Sequence, residues 1–289
     1  MNRITRNLWT LTAIAGLVFG VATAPAATIA HWTFDGGTVG NTISSDTDVE
    51  ASIAVTPFSD GTATYANGPT GLDTAASFDG DVGLKSDPRS GTLTGLSALT
   101  VEAYIYLDLE SGAVGTSGTM NIFRKSALWV GDGNDGDPED GFSLVLSNGK
   151  PVMRLGRDST GDAADRDMAA VIATSAINNR EWVHVAGTWD GGNGNLKLFV
   201  DDVEVTTTAV EQGDTGNFFP TSLTGTLNDA SNDGPAAIGA LDRGGSSFGQ
   251  YFIGEIDEVK ISDIVIPEPA SLALLGLGVT ALLGLRRRR

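Results

Sequence analysis

Two acidic residues near the end of the chain have the spacing that could support hydrolysis. Glu255 and Asp257 alternate within a strand-like segment, and in a regular β-strand residues two apart point to the same face. Two carboxylates about 5 Å apart can run retaining glycoside hydrolysis. Glu258 should point away from that face. Glu255 and Asp257 are therefore candidate catalytic residues of a glycoside hydrolase.

A second chemistry open to the acidic residues is calcium binding, because Ca2+ takes roughly six to eight oxygen ligands. The loop over residues 132–140 crowds acids together and offers Asp132, Asn134, Asp135 and Asp137 as ligands. It does not follow the EF-hand pattern, since Gly136 occupies the fifth ligand position and no glutamate falls at the twelfth. The alternative for this loop is a solvated acidic surface.

A second possible calcium site joins the two ends of the folded part of the chain. Asp35 follows the first predicted strand, and Asp257 lies in the last one. The first and last strands of β-sandwiches often lie side by side, so these two carboxylates could meet. A Ca2+ ion held there would be structural, and it would clamp the termini of a fold that has no cysteine and hence no disulfide.

The sequence offers few residues for other catalytic chemistries. The only histidines are His31 and His184, and without cysteine a zinc site or a histidine-activated nucleophile is not expected. His184 lies between valines, which predicts a packed, hydrogen-bonded strand residue. Aromatic side chains in loops are candidate sugar platforms, with packing beneath the loops as the alternative; they are Trp129, Phe218, Phe219, Phe248 and Tyr251.

The charge balance excludes nucleic acid as an expected partner. The whole chain has 36 acidic and 18 basic residues. Six of the basic residues and one acid lie in the terminal segments, so residues 27–266 retain 35 acids and 12 bases, a net charge of −23. Such a surface repels phosphate backbones. It suits cations, high-salt surroundings or simple solubility.

The N-terminus has the pattern of a secretory signal peptide. Arg3 and Arg6 form a basic n-region without acids, and an apolar stretch over residues 11–24 follows. Ala24 and Ala26 supply the small residues of an A-x-A cleavage site. We predict a signal peptide over residues 1–26, with cleavage after Ala26.

The C-terminus combines three features in a fixed order. Pro267-Glu268-Pro269 is followed by an uncharged apolar run over residues 270–285 and then by Arg286, Arg287, Arg288 and Arg289. As a helix the run would reach about 24 Å, slightly less than a bilayer core, and the arginines should stay cytoplasmic. Residues 267–289 resemble the PEP-CTERM sorting signal of Gram-negative bacteria.

That resemblance implies a partner and a route. An exosortase, a membrane transpeptidase-like enzyme, would recognise the signal and cut near Pro267-Glu268-Pro269. The protein would pass through an intermediate anchored in the inner membrane and reach the cell envelope or extracellular matrix. An ordinary membrane tail anchor is the alternative interpretation.

The body of the chain predicts an all-β fold. About a dozen short alternating segments separated by Gly-, Asn- and Asp-rich turns lie between residues 28 and 264, and no helical period of useful length interrupts them. A two-sheet antiparallel sandwich fits this pattern. The runs 196–200 and 203–205 flank Asp201-Asp202, which predicts a tight hairpin with both aspartates in left-handed geometry.

Several segments together resemble the laminin-G-like (LamG), concanavalin-A-like jelly-roll family, in a domain over residues 27–264. They are 31–35 (HWTFD), 77–80 (SFDG), 99–105 (LTVEAYI), 181–190 (EWVHVAGTWD), 198–201 (LFVD) and 254–259 (GEIDEV). The resemblance implies a non-catalytic module that binds extracellular polysaccharide or another surface component. Glucanase relatives carry catalytic acids on one strand, which keeps the Glu255–Asp257 hydrolase as an alternative. A structural matrix or adhesion protein is the other alternative.

Overall fold

A computed structural model of the chain describes residues 27–44, 46–47, 53–59, 61–71, 73–86, 93, 95–109, 118–126, 141–158, 166–211, 216–227, 235–242 and 248–265. The regular elements in these ranges are strands. In chain order they are β1 Thr28–Trp32, β2 Asp46–Thr47, β3 Ala54–Phe58, β4 Thr64–Asn67, β5 Thr74–Asp79, β6 Gly83–Ser86, β7 Ala98–Leu107, β8 Thr119–Ser126, β9 Gly141–Ser147, β10 Lys150–Asp158, β11 Arg166–Ala173, β12 Trp182–Asp190, β13 Leu196–Val200, β14 Val203–Glu204, β15 Thr207–Ala209, β16 Ala236–Ile238, β17 Leu241–Asp242, β18 Phe248–Gly249 and β19 Ile253–Ser262.

The strands form two large antiparallel sheets. One has eight strands in the order β14-β13-β12-β7-β19-β5-β4, with β1 also paired to β19. The other has nine strands in the order β15-β11-β10-β9-β8-β16-β6-β3-β2, and β17 and β18 form a small separate pair. The two-sheet antiparallel jelly-roll sandwich predicted from the sequence is confirmed. The first and last strands, β1 and β19, do lie side by side.

The hydrophobic core lies between the two sheets, and the period-2 alternation of the strands builds it. On β7, every second side chain from Leu99 to Leu107 is buried in the core. Trp32 and Phe123 meet in the core with ring centroids 6.0 Å apart. The opposite residues of β7 therefore face away from the core and define an outer face of the eight-stranded sheet.

The hairpin between β13 and β14 has the predicted geometry. Val200 pairs with Val203, so Asp201 and Asp202 form a two-residue turn, and their φ angles are +49° and +63°. Two left-handed residues give the turn the twist that antiparallel strands favour. Aspartate tolerates this region better than most residues, which explains why the turn forms without glycine.

The described residues contain no helix that is long and apolar enough to cross a bilayer. The predicted signal peptide over residues 1–26, with its cleavage site at Ala26, lies outside the described residues. The same holds for the predicted sorting segment over residues 267–289.

Candidate functional site

Four rings lie together on the outer face of the eight-stranded sheet. Tyr104 and Tyr106 point outward from β7, and β12 places His184 opposite Tyr104 and Trp182 opposite Tyr106. The ring centroids of Tyr104 and His184 are 4.8 Å apart, and those of Tyr106 and Trp182 are 5.7 Å apart. Tyr104 is 37% exposed, whereas most large apolar side chains are buried. We call these four residues the aromatic face.

Hydrogen bonds and ion pairs fix the orientation of His184 in this face. Its Nδ1 lies 3.0 Å from Asp202 Oδ1, and its backbone N–H donates to Asp201 Oδ1. Its Nε2 lies 3.8 Å from Glu102, whose other carboxylate oxygen accepts a 2.9 Å bond from Lys260. The prediction that His184 is a packed, hydrogen-bonded strand residue is confirmed. The hairpin aspartates thus position a ring of the aromatic face.

Burial and neighbouring charges raise the pKa values of two groups in and beside the aromatic face. Burial, followed by the charges of Asp202 and Glu102, raises the pKa of Tyr104, so its phenol keeps its proton and can donate a hydrogen bond. Glu255 pairs with Tyr106 across the β19–β7 ladder. Burial, followed by the nearby charge of Asp108, raises the pKa of Glu255 to about 7. Near neutral pH, Glu255 can therefore either donate or accept hydrogen bonds.

A bulge in β19 separates the partners of this strand. β5 pairs with residues 253–256, and β1 pairs with residues 259–262. Between them the register against β7 shifts after Asp257, and Glu258 adopts a φ of +50°. The end of β1 and the start of β5 therefore meet beside Asp257.

Three aspartates come together at this meeting point, which we call the carboxylate junction: Asp35 after β1, Asp73 before β5, and Asp257 in β19. Asp257 is 0% exposed. Its Oδ1 accepts the N–H of Glu258 at 2.8 Å, whereas its Oδ2 has no hydrogen-bond partner. Burial, followed by the charges of Glu258, Asp73 and Asp35, raises the pKa of Asp257 to about 8.

The geometry does not make a catalytic pair of Glu255 and Asp257. The register is regular between them, so they share the outer face as predicted. Asp257, however, is fully buried and closed to a substrate. Different charges also raise the two pKa values. The charge of Asp108 raises the pKa of Glu255, whereas Glu258 contributes the largest charge effect on the pKa of Asp257. The acid pair therefore lacks the open cleft that glycoside hydrolysis requires.

The expected orientation of Glu258 is wrong. In a regular strand Glu258 would point away from the face of Glu255, but the structure places its carboxylate in an ion pair with His31. His31 faces outward, because its neighbours Ala30 and Trp32 are in the core. The physical cause is the bulge, which adds a residue and shifts the alternation of side chains.

The structure says less about the remaining candidate calcium ligands and loop aromatics. Asp132, Asn134, Asp135, Asp137 and Trp129 lie outside the described residues, and for Phe248 only the strand is described. Two loop aromatics can be compared: Phe218 is 58% exposed, while Tyr251 packs against buried residues that include Phe58. Among the described residues, no three His, Asp or Glu side chains are grouped so that they could hold a metal ion.

Sequence reasoning missed Asp73 and three of the rings. The alternation Tyr104-Ile105-Tyr106 between core positions was a signal that both tyrosines would face outward. Trp182 could have been found from its pairing with β7, but strand pairing is not readable from one strand alone. Asp73 precedes β5 in a Gly- and Pro-rich turn, where nothing in the sequence indicates its proximity to Asp257.

The fold and this site define a jelly-roll domain with an open polar and aromatic sheet face. The family model of the concanavalin A-like lectin/glucanases superfamily matches residues 78–269, and the chain belongs to this superfamily. The model of the PEP-CTERM protein-sorting motif matches residues 265–289. This motif implies export and sorting by an exosortase-type enzyme in Gram-negative bacteria. No curated protein shows significant sequence similarity.

Solved structures share the fold at low sequence identity. Domain 4 of AbnA, a GH43 extracellular arabinanase from Geobacillus stearothermophilus solved with arabinotriose, is 19% identical with a TM-score of 0.53; the match covers 84% of this chain and 95% of that one. The binding domain of Paraclostridial Mosquitocidal Protein 1 is 11% identical with a TM-score of 0.55, covering 83% of this chain and 50% of that one. This chain thus spans about half the length of the mosquitocidal binding domain.

Proposed function

We propose that this protein is an exported envelope or extracellular protein whose jelly-roll domain binds a neutral polysaccharide through the aromatic face. The observation that carries the proposal is the set of paired rings on an otherwise polar sheet face. Sugar rings stack their apolar C–H faces on aromatic side chains, while their hydroxyls need oriented polar groups. The aromatic face offers both within one surface.

The polar groups around the rings support a sugar ligand. The Tyr104 hydroxyl and the Glu255 carboxyl can donate to or accept from a sugar hydroxyl, and the Glu102 carboxylate can accept from one. Glu102 and His184 are held by Lys260 and Asp202, so little conformational entropy would be lost on binding. A pre-oriented, partly apolar surface fits a sugar chain better than a flat hydrophobic protein interface.

Electrostatics favours a neutral glycan over an anionic one. The body carries 35 acids against 12 bases, and Glu102, Asp202 and Glu258 lie around the aromatic face. An alginate-like or sulfated chain would meet like charge and would bind only at high salt. The arabinotriose complex of AbnA domain 4 suggests neutral arabinan as a first probe.

The test is binding of the purified protein to neutral arabinan and β-glucan, with anionic alginate as the comparison. We expect saturable binding to a neutral chain and at least a 10-fold loss of affinity in Tyr104→Ala and in Trp182→Ala. Phe218→Ala is the matched control, since Phe218 is an exposed aromatic outside the aromatic face. Binding that survives both face variants but is lost in the control would overturn the proposal.

Other outcomes of the same assay distinguish the remaining functions. Self-association without affinity for any glycan would indicate a structural matrix or adhesion protein. Release of reducing sugar from β-glucan, lost in Glu255→Gln, would indicate a glycoside hydrolase.

We also propose that the chain is exported through its signal peptide, anchored in the inner membrane and then delivered to the envelope or matrix. Truncation before Arg286 removes the four arginines and should reduce the amount of protein recovered in the envelope or matrix fraction after cell fractionation. Normal recovery of the truncated chain in that fraction would contradict the sorting route.

A further inference from the structure

Two hydrogen bonds hold the chain where it leaves the last strand. Just beyond β19, the N–H of Asp263 donates to the carbonyl oxygen of Ala27 at 3.2 Å. The hydroxyl of Thr100, on β7, donates to the carbonyl oxygen of Ile264 at 2.5 Å. We call these two bonds the latch. They fix the backbone for two residues past the end of β19, and they do so from both neighbours of that strand, β1 and β7.

We propose that opening of the latch limits how fast the sorting signal is cut, an inference that rests on the sorting route proposed above. The latch ends three residues before Pro267-Glu268-Pro269. A processing enzyme must draw the chain on both sides of the cut into its active site, so backbone that is hydrogen-bonded to the domain has to open first. The cut breaks one peptide bond: the acyl group of the body passes to water or an amine, and the tail leaves with a protonated amino terminus.

The burial of Thr100 strengthens the second bond of the latch. Thr100 belongs to the outer face of β7, yet it is only 1% exposed, and its partner across the ladder, Ser262, is 3% exposed. The chain after β19 turns back toward β7 here, because the carbonyl oxygen of Ile264 reaches the Thr100 hydroxyl. Opening the latch exchanges a sheltered bond for bonds to water, which favours the closed form.

The other strand partner of Thr100 provides a matched control. Thr188, on β12, pairs directly with Thr100 and is also 1% exposed. Its hydroxyl has no hydrogen-bond partner among the described residues. The two threonines therefore share their residue type, their burial and their place on the sheet, and they differ in that Thr100 donates to the backbone beyond β19.

The first measurement is hydrogen exchange of the Asp263 backbone N–H in the purified full chain. Thr100→Val removes the donor and keeps the shape of the side chain, whereas Thr100→Ser keeps the donor. Loss of one hydrogen bond should raise the population of the open latch about 5-fold. We therefore expect exchange at Asp263 to be about 5-fold faster in Thr100→Val and unchanged in Thr100→Ser and Thr188→Val.

The second measurement is pulse-chase analysis of tail removal in cells that contain the exosortase. When a segment opens and closes faster than it is cut, the rate of cutting follows the population of the open form. We therefore expect Thr100→Val to lose its tail about 5-fold faster than the unmutated chain. Thr100→Ser and Thr188→Val should lose their tails at the unmutated rate.

The two measurements separate failure of the latch from failure of the sorting route. Unchanged exchange at Asp263 in Thr100→Val would overturn the latch itself. Faster exchange with an unchanged rate of tail removal would overturn its control over the cut. Retention of the tail in the unmutated chain would refute the sorting route, and control by the latch would fall with it.

Discussion

Gly254 is the position at which a single methyl group should most disturb the site-bearing strand. Its φ is +129°, in a region that L-residues avoid, and such strain costs about 1–3 kcal/mol. A Cβ would also overlap the backbone oxygen of Tyr106 and lie 3.0 Å from the backbone nitrogen of Asp108. Backbone atoms of a paired strand cannot rotate aside. We therefore expect Gly254→Ala to reduce the free energy of unfolding by about 4 kcal/mol or more.

Urea unfolding of three glycine variants can separate strain from overlap. Gly40→Ala has the strain alone, because its φ is +86° and a Cβ meets nothing within 4 Å, and should cost about 1–2 kcal/mol. Gly36→Ala has neither and should stay within about 0.5 kcal/mol of the unmutated protein. If Gly254→Ala costs no more than Gly40→Ala, β19 does not pack closely enough on β7 for an added Cβ to overlap the Tyr106 backbone.

Three further predictions concern pH and the indole groups. The pKa of Glu255 is raised from 4.5 to about 7, so its contribution to stability is complete below about pH 4.5 and is lost as pH rises through 7. Relative to the unmutated protein, Glu255→Gln should therefore have a higher free energy of unfolding at pH 9 than it does at pH 4. The gain should be only about 1 kcal/mol, because the side chain is partly exposed and its charge is screened. If the variant and the unmutated protein depend on pH in the same way, this prediction is wrong. Trp189→Phe should cost about 2–4 kcal/mol in urea unfolding, since it leaves the buried oxygen of Leu223 without its 2.6 Å indole donor. Trp182→Phe keeps an aromatic ring on the outer face and should change stability by less than about 1 kcal/mol.

The sequence was most informative where side chains alternate strictly. Strands such as β7, β12 and β13 have mostly apolar residues at every second position, so the burial of one face determines both their existence and their orientation. The turn at Asp201-Asp202 was predictable for a local reason, because its length fixes its type. Strands β2, β3, β4 and β6 have no such run of apolar residues. They are short and rich in Thr, Ser, Ala and Gly, and tertiary pairing rather than propensity makes them strands.

The candidate sites were only partly predictable, because both depend on contacts between distant segments. The meeting of Asp35 with Asp257 follows from a general property of sandwiches, the adjacency of first and last strands. The contribution of Asp73 depends on where β5 begins relative to the β19 bulge. A bulge depends on local backbone geometry, and no residue pattern in this sequence predicts it. The same bulge reversed the expected orientation of Glu258.

The register of β19 against β7 links the carboxylate junction to the aromatic face. Asp257 is the direct partner of Tyr104, and Glu255 is the partner of Tyr106, so both sites lie on one ladder. Burial raises the pKa of Asp257 to about 8, and a buried carboxyl that ionises above this pH destabilises the strand that aligns Tyr104 and Tyr106. If the aromatic face binds a glycan, binding should therefore weaken above pH 8 in the unmutated protein and weaken less in Asp257→Asn. Equal pH dependence in the two proteins would show that the bulge isolates the rings from the junction.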